Sequence, residues 1–413
     1  MRLLASTHPT ELKVCMFPIK CSQCNNILPI ENISQSRKIG ETQGFCSQCK
    51  AWTSVPLPSM QKQIIYLDQS FLSAACLEAD KSNSQDEVRI HSKLMELKRQ
   101  QRVFVIVSDI HSRETSAIAD NYAENRNKLW QFQNDLADGS VACDWDEIFV
   151  AQWRRILVCQ NDSYPLPATD IGLTNPHQLQ IGVRIQPTNL WRQRLHRETA
   201  RSPETINDEL QNIYKRQLEN IPISGDAYDC LNYVRELWRK DIRQGIASRR
   251  KQRELNRAME QVIKELESGR IPEIPSWEEP SPFRRVVAEV IQGLEEESTL
   301  QRWLELLEDD SENLCAYVKI RSVFEAVLLW ELKTGKITNN SKKFHRNLGL
   351  SRQNDIDHIS TFVPYVDILT TDNSMRNLCE NKLVADELKQ FSCEIFSKSN
   401  YDKFETRLDK LLA

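Results

Sequence analysis

Three short apolar runs constrain this chain most, because each stops on or beside an acid. Ile64 to Leu67 precedes Asp68, Val103 to Val107 precedes Ser108 and Asp109, and the run VDILTTD ends on Asp372. Runs this short and this rich in β-branched residues suit strands buried on both faces. Helical patterns follow each of them, in QSFLSAACLEAD, IHSRETSAIADNYAENRNKLW and MRNLCENKLVADELKQF, and CEIFS offers one more strand before a closing helix. Strands alternating with helices predict an α/β fold with a mostly parallel sheet covered on both faces. In such sheets functional groups gather beyond the carboxyl ends of the strands. Asp68 and Asp372 sit at those ends, and Glu114 follows one shortly.

The stretch NDIDHISTFVPYVDILTTDN adds Asp355, Asp357 and Asp367 among apolar residues. On a helix each residue turns about 100°, so Ile356, Ile359, Phe362 and Val363 share one apolar face. Asp355 lies roughly 50° from the centre of that face and Asp357 roughly 150° away. Asp355 is therefore the acid expected to look into a packed site, and Asp357 is expected at solvent. His358 lies on the flank, where it either hydrogen-bonds a carboxylate or is structural. Asp372 is expected to point inward, whereas Asp367 precedes the strand and is expected to satisfy backbone donors. Each acid taken singly also suits a turn or a helix cap. Taken together, converging carboxylates stay ionised only with cations between them, and hard oxygen ligands suit Mg2+ or Mn2+.

Near the N-terminus the chain reads Cys21-Ser-Gln-Cys24 and, after 21 residues, Cys46-Ser-Gln-Cys49. Two turns that each offer two thiolates can close a tetrahedral shell around zinc, and four thiolates leave no open position, so such a metal is structural. The alternative is unlinked cysteines; Cys15 reads as an ordinary buried thiol. A segment this short buries little core, so metal binding would supply its folding energy.

From about residue 144 to 340 the pattern is helical, with prolines between the helices. RELWRKDIRQGIASRRKQRELNR carries Arg239, Lys240, Arg243, Arg249 and Arg250, and NLWRQRLHR adds Arg192, Arg194 and Arg197 beside Trp191. Basic residues with aromatics between them can track a phosphate backbone, but the same pattern suits a solvated helix laced with glutamates. A surface for a regulatory protein or a second copy is the other candidate. A net charge of −4 offers no global basic field, so any nucleic-acid surface must be local. No apolar run approaches the roughly 20 residues of a membrane helix, no signal-peptide core opens the chain, and the cysteine usage suits a reduced, cytoplasmic protein. No phosphate-binding or dinucleotide glycine motif occurs.

The acids in order, YLDQSFLS, VSDIHSRET, NDIDHI and DILTTDNSM, make the chain resemble a PIN-domain nuclease with an N-terminal zinc ribbon. The resemblance implies a three-layer α/β/α core holding Asp68, Glu114, Asp355 (or Asp357 in its place) and Asp372 around Mg2+ or Mn2+. It also implies single-strand endonuclease chemistry, usually on RNA, with toxins and RNA-processing enzymes as frequent roles; a toxin or defence setting is an expectation by association alone. The expected organisation is a zinc ribbon over 1–59, PIN-like core over 60–140 and 341–413, and a large helical insert over 141–340. Glu114 and Asp355 stand 241 positions apart, farther than in a compact PIN domain. Two rivals remain. One is a non-catalytic scaffold that binds nucleic acid or protein. The other is a phosphotransfer enzyme, disfavoured because LDQS lacks the second acid of an Asp-x-Asp nucleophile motif.

Overall fold

A computed structural model describes residues 20–28, 33–35, 41–56, 61–78, 84–138, 141–159, 166–171, 203–221, 225–268, 282–292, 294, 296–308, 314–337 and 348–413. Cys15 and the Trp191 to Arg197 cluster lie outside them. Near the N-terminus, β1 (Ile33–Gln35), β2 (Glu41–Phe45) and β3 (Trp52–Pro56) form a three-stranded antiparallel sheet. The main sheet holds β4 (Gln63–Tyr66), β5 (Val103–Ser108), β6 (Val141–Ala142), β7 (Ile368–Thr370) and β8 (Glu394–Phe396). All its pairings are parallel, in the order β6-β5-β4-β7-β8. The chain moves outward one way from β4 through β5 to β6, and the other way from β7 to β8. The direction of winding therefore reverses between β4 and β7, which is where doubly wound sheets open a crevice.

Most of the described chain is helical: α1 (Gln69–Leu77), α2 (Gln85–Arg99), α3 (Asp109–Ser116), α4 (Ala123–Ala137), α5 (Trp145–Cys159), α6 (Pro203–Glu219) and α7 (Ala227–Glu267). Then come α8 (Pro282–Val290), α9 (Glu296–Glu308), α10 (Ala316–Lys333), α11 (Leu350–Phe362), α12 (Asn373–Cys379), α13 (Lys382–Leu388) and α14 (Tyr401–Leu412). Among the described residues no helix is long and apolar enough to cross a membrane.

The two-residue period of a strand divides the central strands between two cores. Ile65, Leu67, Val103, Val105 and Ile368 face one way, against Phe71 and Leu72 of α1, Leu94 of α2, Leu129 of α4 and Phe404 of α14. Ile64, Tyr66, Phe104, Ile106 and Leu369 face the other, against Ile320 and Phe324 of α10 and Ile356, Ile359 and Phe362 of α11. Each such aliphatic or aromatic burial is worth about 1.5–3 kcal/mol relative to exposure, which is why the register is firmly set.

The helical middle of the chain does not stand apart from the sheet. β6 begins at Val141, inside the stretch expected to be insert, and α10 helps cover the second sheet face. α10 buries most of its apolar residues, leaving Lys319, Arg321, Glu325, Glu331 and Lys333 partly exposed. Its Tyr317 and Val318 also join a core confined to the middle region, with Phe149 and Trp153 of α5, Ile246 of α7, Val287 of α8 and Trp303 of α9. Gly245 lets α7 approach α8: a Cβ there would lie 2.8 Å from the Val287 Cβ.

Candidate active site

Asp68 lies two residues beyond β4 and caps α1, its carboxylate accepting from the Phe71 N–H at 3.4 Å. The Thr370 hydroxyl at the end of β7 donates to Asp68 Oδ1 at 2.8 Å and accepts from the Asp68 N–H at 2.9 Å. Ser70 Oγ donates to the other carboxylate oxygen. Burial pushes the Asp68 carboxyl up, these three donors pull it back, and the charge of Asp372 adds to the upward push. Asp372 occupies the matching place two residues beyond β7 and caps α12, accepting from the Met375 N–H at 2.5 Å. The two acids thus flank the point at which the strand order reverses.

Glu114, on α3 after β5, accepts from Asn354 Nδ2 at 3.1 Å. Burial pushes its carboxyl up to about 6, with Asp68 adding to the effect and Asn354 and Arg113 opposing it. Asp355 on α11 is pushed up to about 8, first by burial and then by Asp372, with Glu114 and Asp68 contributing and Arg352 opposing. Asp68, Glu114, Asp355 and Asp372 come from separate segments, and the charges of the other three all act on Asp355.

Asp357, His358 and Asp367 do not join them. Asp357 was expected at solvent but accepts from the Tyr317 hydroxyl at 2.8 Å and from Arg321 Nη1. Arg321 also pairs with Glu325 at 2.8 Å and donates to Gln353 at 3.2 Å. The helical wheel assumed a single buried face, whereas Tyr317 and Arg321 of α10 reach Asp357 outside that face. His358 lies beneath the site with ring centroids 5.3 Å from Tyr66 and 5.4 Å from His111, and its Nε2 has no hydrogen-bond partner. Burial first, then the charges of His111 and Arg113, push it well below the ordinary histidine range. Asp367 is at the opposite end of β7, accepting from the Ile64 N–H at 2.7 Å, a backbone role consistent with its place before the strand.

The acidic donor set fits a hard divalent cation. Its members are oxygen ligands only, and burial and mutual repulsion push two of them up although Arg113 and Arg352 oppose the effect. They are not drawn together as tightly as the cysteines: among the described residues Cys21, Cys24, Cys46 and Cys49 form the one group of three or more metal-ligating side chains with atoms within 4.8 Å of one another. Each cysteine pair sits on the same turn. Cys21 O accepts from Asn25 N at 2.9 Å and Cys46 O from Lys50 N at 2.8 Å, with Asn25 and Lys50 both left-handed at φ 62° and 57°. The sulfurs of Cys21 and Cys49 are 3.7 Å apart and those of Cys24 and Cys46 3.4 Å. Zn–S bonds of about 2.3 Å in a tetrahedron require nearly that separation. The Cys49 backbone N–H leads in holding the Cys46 thiol down to about 6. The four cysteines can hold a structural metal such as zinc.

Of the basic residues singled out on α7, Arg239 and Arg243 pair with Glu236 at 3.4 and 2.7 Å, and Arg250 pairs with Glu297 at 2.8 Å. Lys240 is exposed, and Arg249 is half-buried. Glu236, one turn before Arg239, and Glu297 from α9 thus offset the charge of Arg239, Arg243 and Arg250.

Three site neighbours were not singled out from sequence: Thr370, Asn354 and Arg352. Arg352 is 8% exposed, donates to Ser374 Oγ, and places Nη1 3.9 Å from Asp372 Oδ1. Their signal was adjacency, since Asn354 and Arg352 stand one and three positions before Asp355. No family model, curated protein or solved structure matches this chain.

Proposed function

We propose that the chain is a metal-dependent endonuclease with a PIN-like core that hydrolyses phosphodiester bonds in single-stranded RNA. What supports this reading is that Asp68 and Asp372 follow the two strands flanking the reversal of strand order, while Asn354, the neighbour of Asp355, bonds Glu114. These acids would hold Mg2+ or Mn2+. Such an ion, when bound, supplies charge neutralisation and Lewis-acid activation of water. The chain's own groups orient the oxygens: Thr370 and Ser70 fix Asp68, and Asn354 fixes Glu114. Water as nucleophile leaves no catalytic serine or cysteine required. The preference for RNA, a toxin or defence setting and a cytoplasmic location rest on the PIN resemblance and the cysteine usage. The four-cysteine ribbon would hold zinc as a brace, and the helical middle region would meet RNA, a regulatory protein or a second copy.

Incubating a mixed pool of single-stranded RNA and DNA with the protein and Mn2+ tests this, with Asp68→Asn alongside. Asparagine caps helices as well as aspartate does, so the variant is expected to fold. Metal-dependent cleavage that disappears in the variant is the expected result; equal cleavage by the variant would refute the site. A non-catalytic scaffold is the second reading. It is favoured by the helix-capping duties of Asp68 and Asp372, which explain both residues without chemistry. Under it, Mn2+ titration detects no binding that Asp355→Asn removes.

A further inference from the structure

Beside the acids lies a cavity of about 490 Å³ between the end of α10, the start of α11, and α12 with the turn that follows it. Its size falls in the range of about 300–1,000 Å³ typical of small-molecule sites. Arg352 and Ser374 join it to the acid cluster: both line the cavity, Arg352 Nη1 stands 3.9 Å from Asp372, and Ser374 is two residues beyond Asp372. The remaining polar walls are Glu331, Lys336, Asn377 and Asn381, and Ile337 and Leu378 contribute apolar surface. Glu380 also lines the cavity, but its carboxylate is paired with Arg376 at 3.1 Å.

Two features show what would satisfy this cavity. Arg352 is more than nine-tenths buried, yet its Nη1 makes no hydrogen bond. The Asp372 carboxylate at 3.9 Å offsets its charge but stands beyond hydrogen-bond reach, so a further anionic oxygen is still a fitting partner for this nitrogen. Lys336 is exposed and has no ion-pair partner among the described residues. Glu331 and Asn377 supply acceptors and an amide donor of the kind that read the edge of a base, and Asn381, whose Oδ1 accepts from the Leu383 N–H at 3.0 Å, adds an amide donor. Cationic groups, base-reading groups and apolar surface thus line one cavity.

We infer that this cavity is a subsite for one nucleoside monophosphate unit of the substrate strand, adjoining the bond to be cleaved. Arg352 and Lys336 take its phosphate, and Glu331, Asn377 and Asn381 face its base. The inference rests on the nuclease reading. It differs in being specific to this chain, because α10 and the segment after it build one wall.

The test uses the full chain in buffer without added divalent metal, titrated calorimetrically with each nucleoside 5′-monophosphate and with inorganic phosphate. The comparison is the double variant Lys336→Glu, Asn377→Ala, whose two positions are exposed and not part of any core. At least one nucleotide is expected to bind about tenfold tighter than phosphate, and the double variant to lose about tenfold in affinity. In oligonucleotide cleavage the same variant is expected to raise KM by a similar factor, with a much smaller effect on kcat. Nucleotides binding no better than phosphate, or binding that ignores the double variant, would overturn the subsite. Cleavage that needs Asp68 and metal but has a KM indifferent to the double variant would overturn the subsite and leave the nuclease reading standing. Nucleotide binding without metal-dependent cleavage would overturn the nuclease reading and, with it, the substrate assignment.

Discussion

Replacing Asp355 by asparagine should make the metal-free protein more stable, and the gain should grow with pH. Burial and three neighbouring acids hold the Asp355 carboxyl at about 8, against an ordinary 3.8. Between those values the folded chain keeps a proton that the unfolded chain releases. The unfolded state then binds fewer protons, so by linkage stability falls as pH rises through that window. The full span corresponds to on the order of 5 kcal/mol. Relaxation and water entry reduce the cost of a buried charge, so a working figure is roughly 2–4 kcal/mol at pH 8. Glu114, at about 6 against 4.5, adds a smaller loss of the same sign. Asparagine cannot ionise. The variant should match the parent below about pH 4 and exceed it progressively above. Thermal melting followed by circular dichroism, from acid to pH 8.5 without added divalent metal, reads the difference. Adding Mn2+ should raise the parent's midpoint at pH 8 far more than the variant's. Parallel stability curves for the two proteins would refute the action of the other three acids on Asp355.

Three further outcomes are expected. Cys46→Ser removes one of four thiolates and should lower bound zinc well below one ion per chain, measured by metal analysis after dialysis, while the far-ultraviolet spectrum of the helical body stays the same. Arg321→Leu leaves Asp357 and Glu325 without their shared cation and should cost about 3 kcal/mol in urea unfolding, whereas a loss under about 0.5 kcal/mol would mean the pair is effectively solvated. Gly245→Ala forces a Cβ to 2.8 Å from Val287 and should cost about 1–3 kcal/mol; adding Val287→Ala should recover part of the loss, and additive losses would show that the two helices do not meet there.

The strands and their acids were legible because their signal is local. A continuous run such as Val103 to Val107 can be satisfied only by burial on both faces, and Asp68 and Asp372 follow their strands by two residues. The position of Asp367 before β7 gave its backbone role for the same reason. Asp357 was misplaced because its environment is made by α10, a partner the periodicity of α11 does not encode. Strand β6 has two residues, too few for a period to show, so the sheet's edge was missed. The pairing of Arg239, Arg243 and Arg250 with Glu236 and Glu297 depends on which helix faces meet. Arg352 could be singled out only by its closeness to Asp355, and the cavity beside it has no local signature because separate segments line it.

The seam between β4 and β7 also sets an order of events while the chain is being made. Tyr66 pairs with Leu369, and the Ile64 backbone waits for Asp367. At about 5–20 residues per second, a ribosome needs roughly 15–60 s to travel from one strand to the other. Throughout that interval one edge of an apolar central strand has no partner, the situation in which nascent chains recruit chaperones or stick to one another. Truncation before Ile368 removes the last acid along with the strand whose Thr370 holds Asp68 in place. If the acids do cut RNA, the cell meets no active fragment during synthesis: the blade is fitted only when almost all of the chain has left the ribosome.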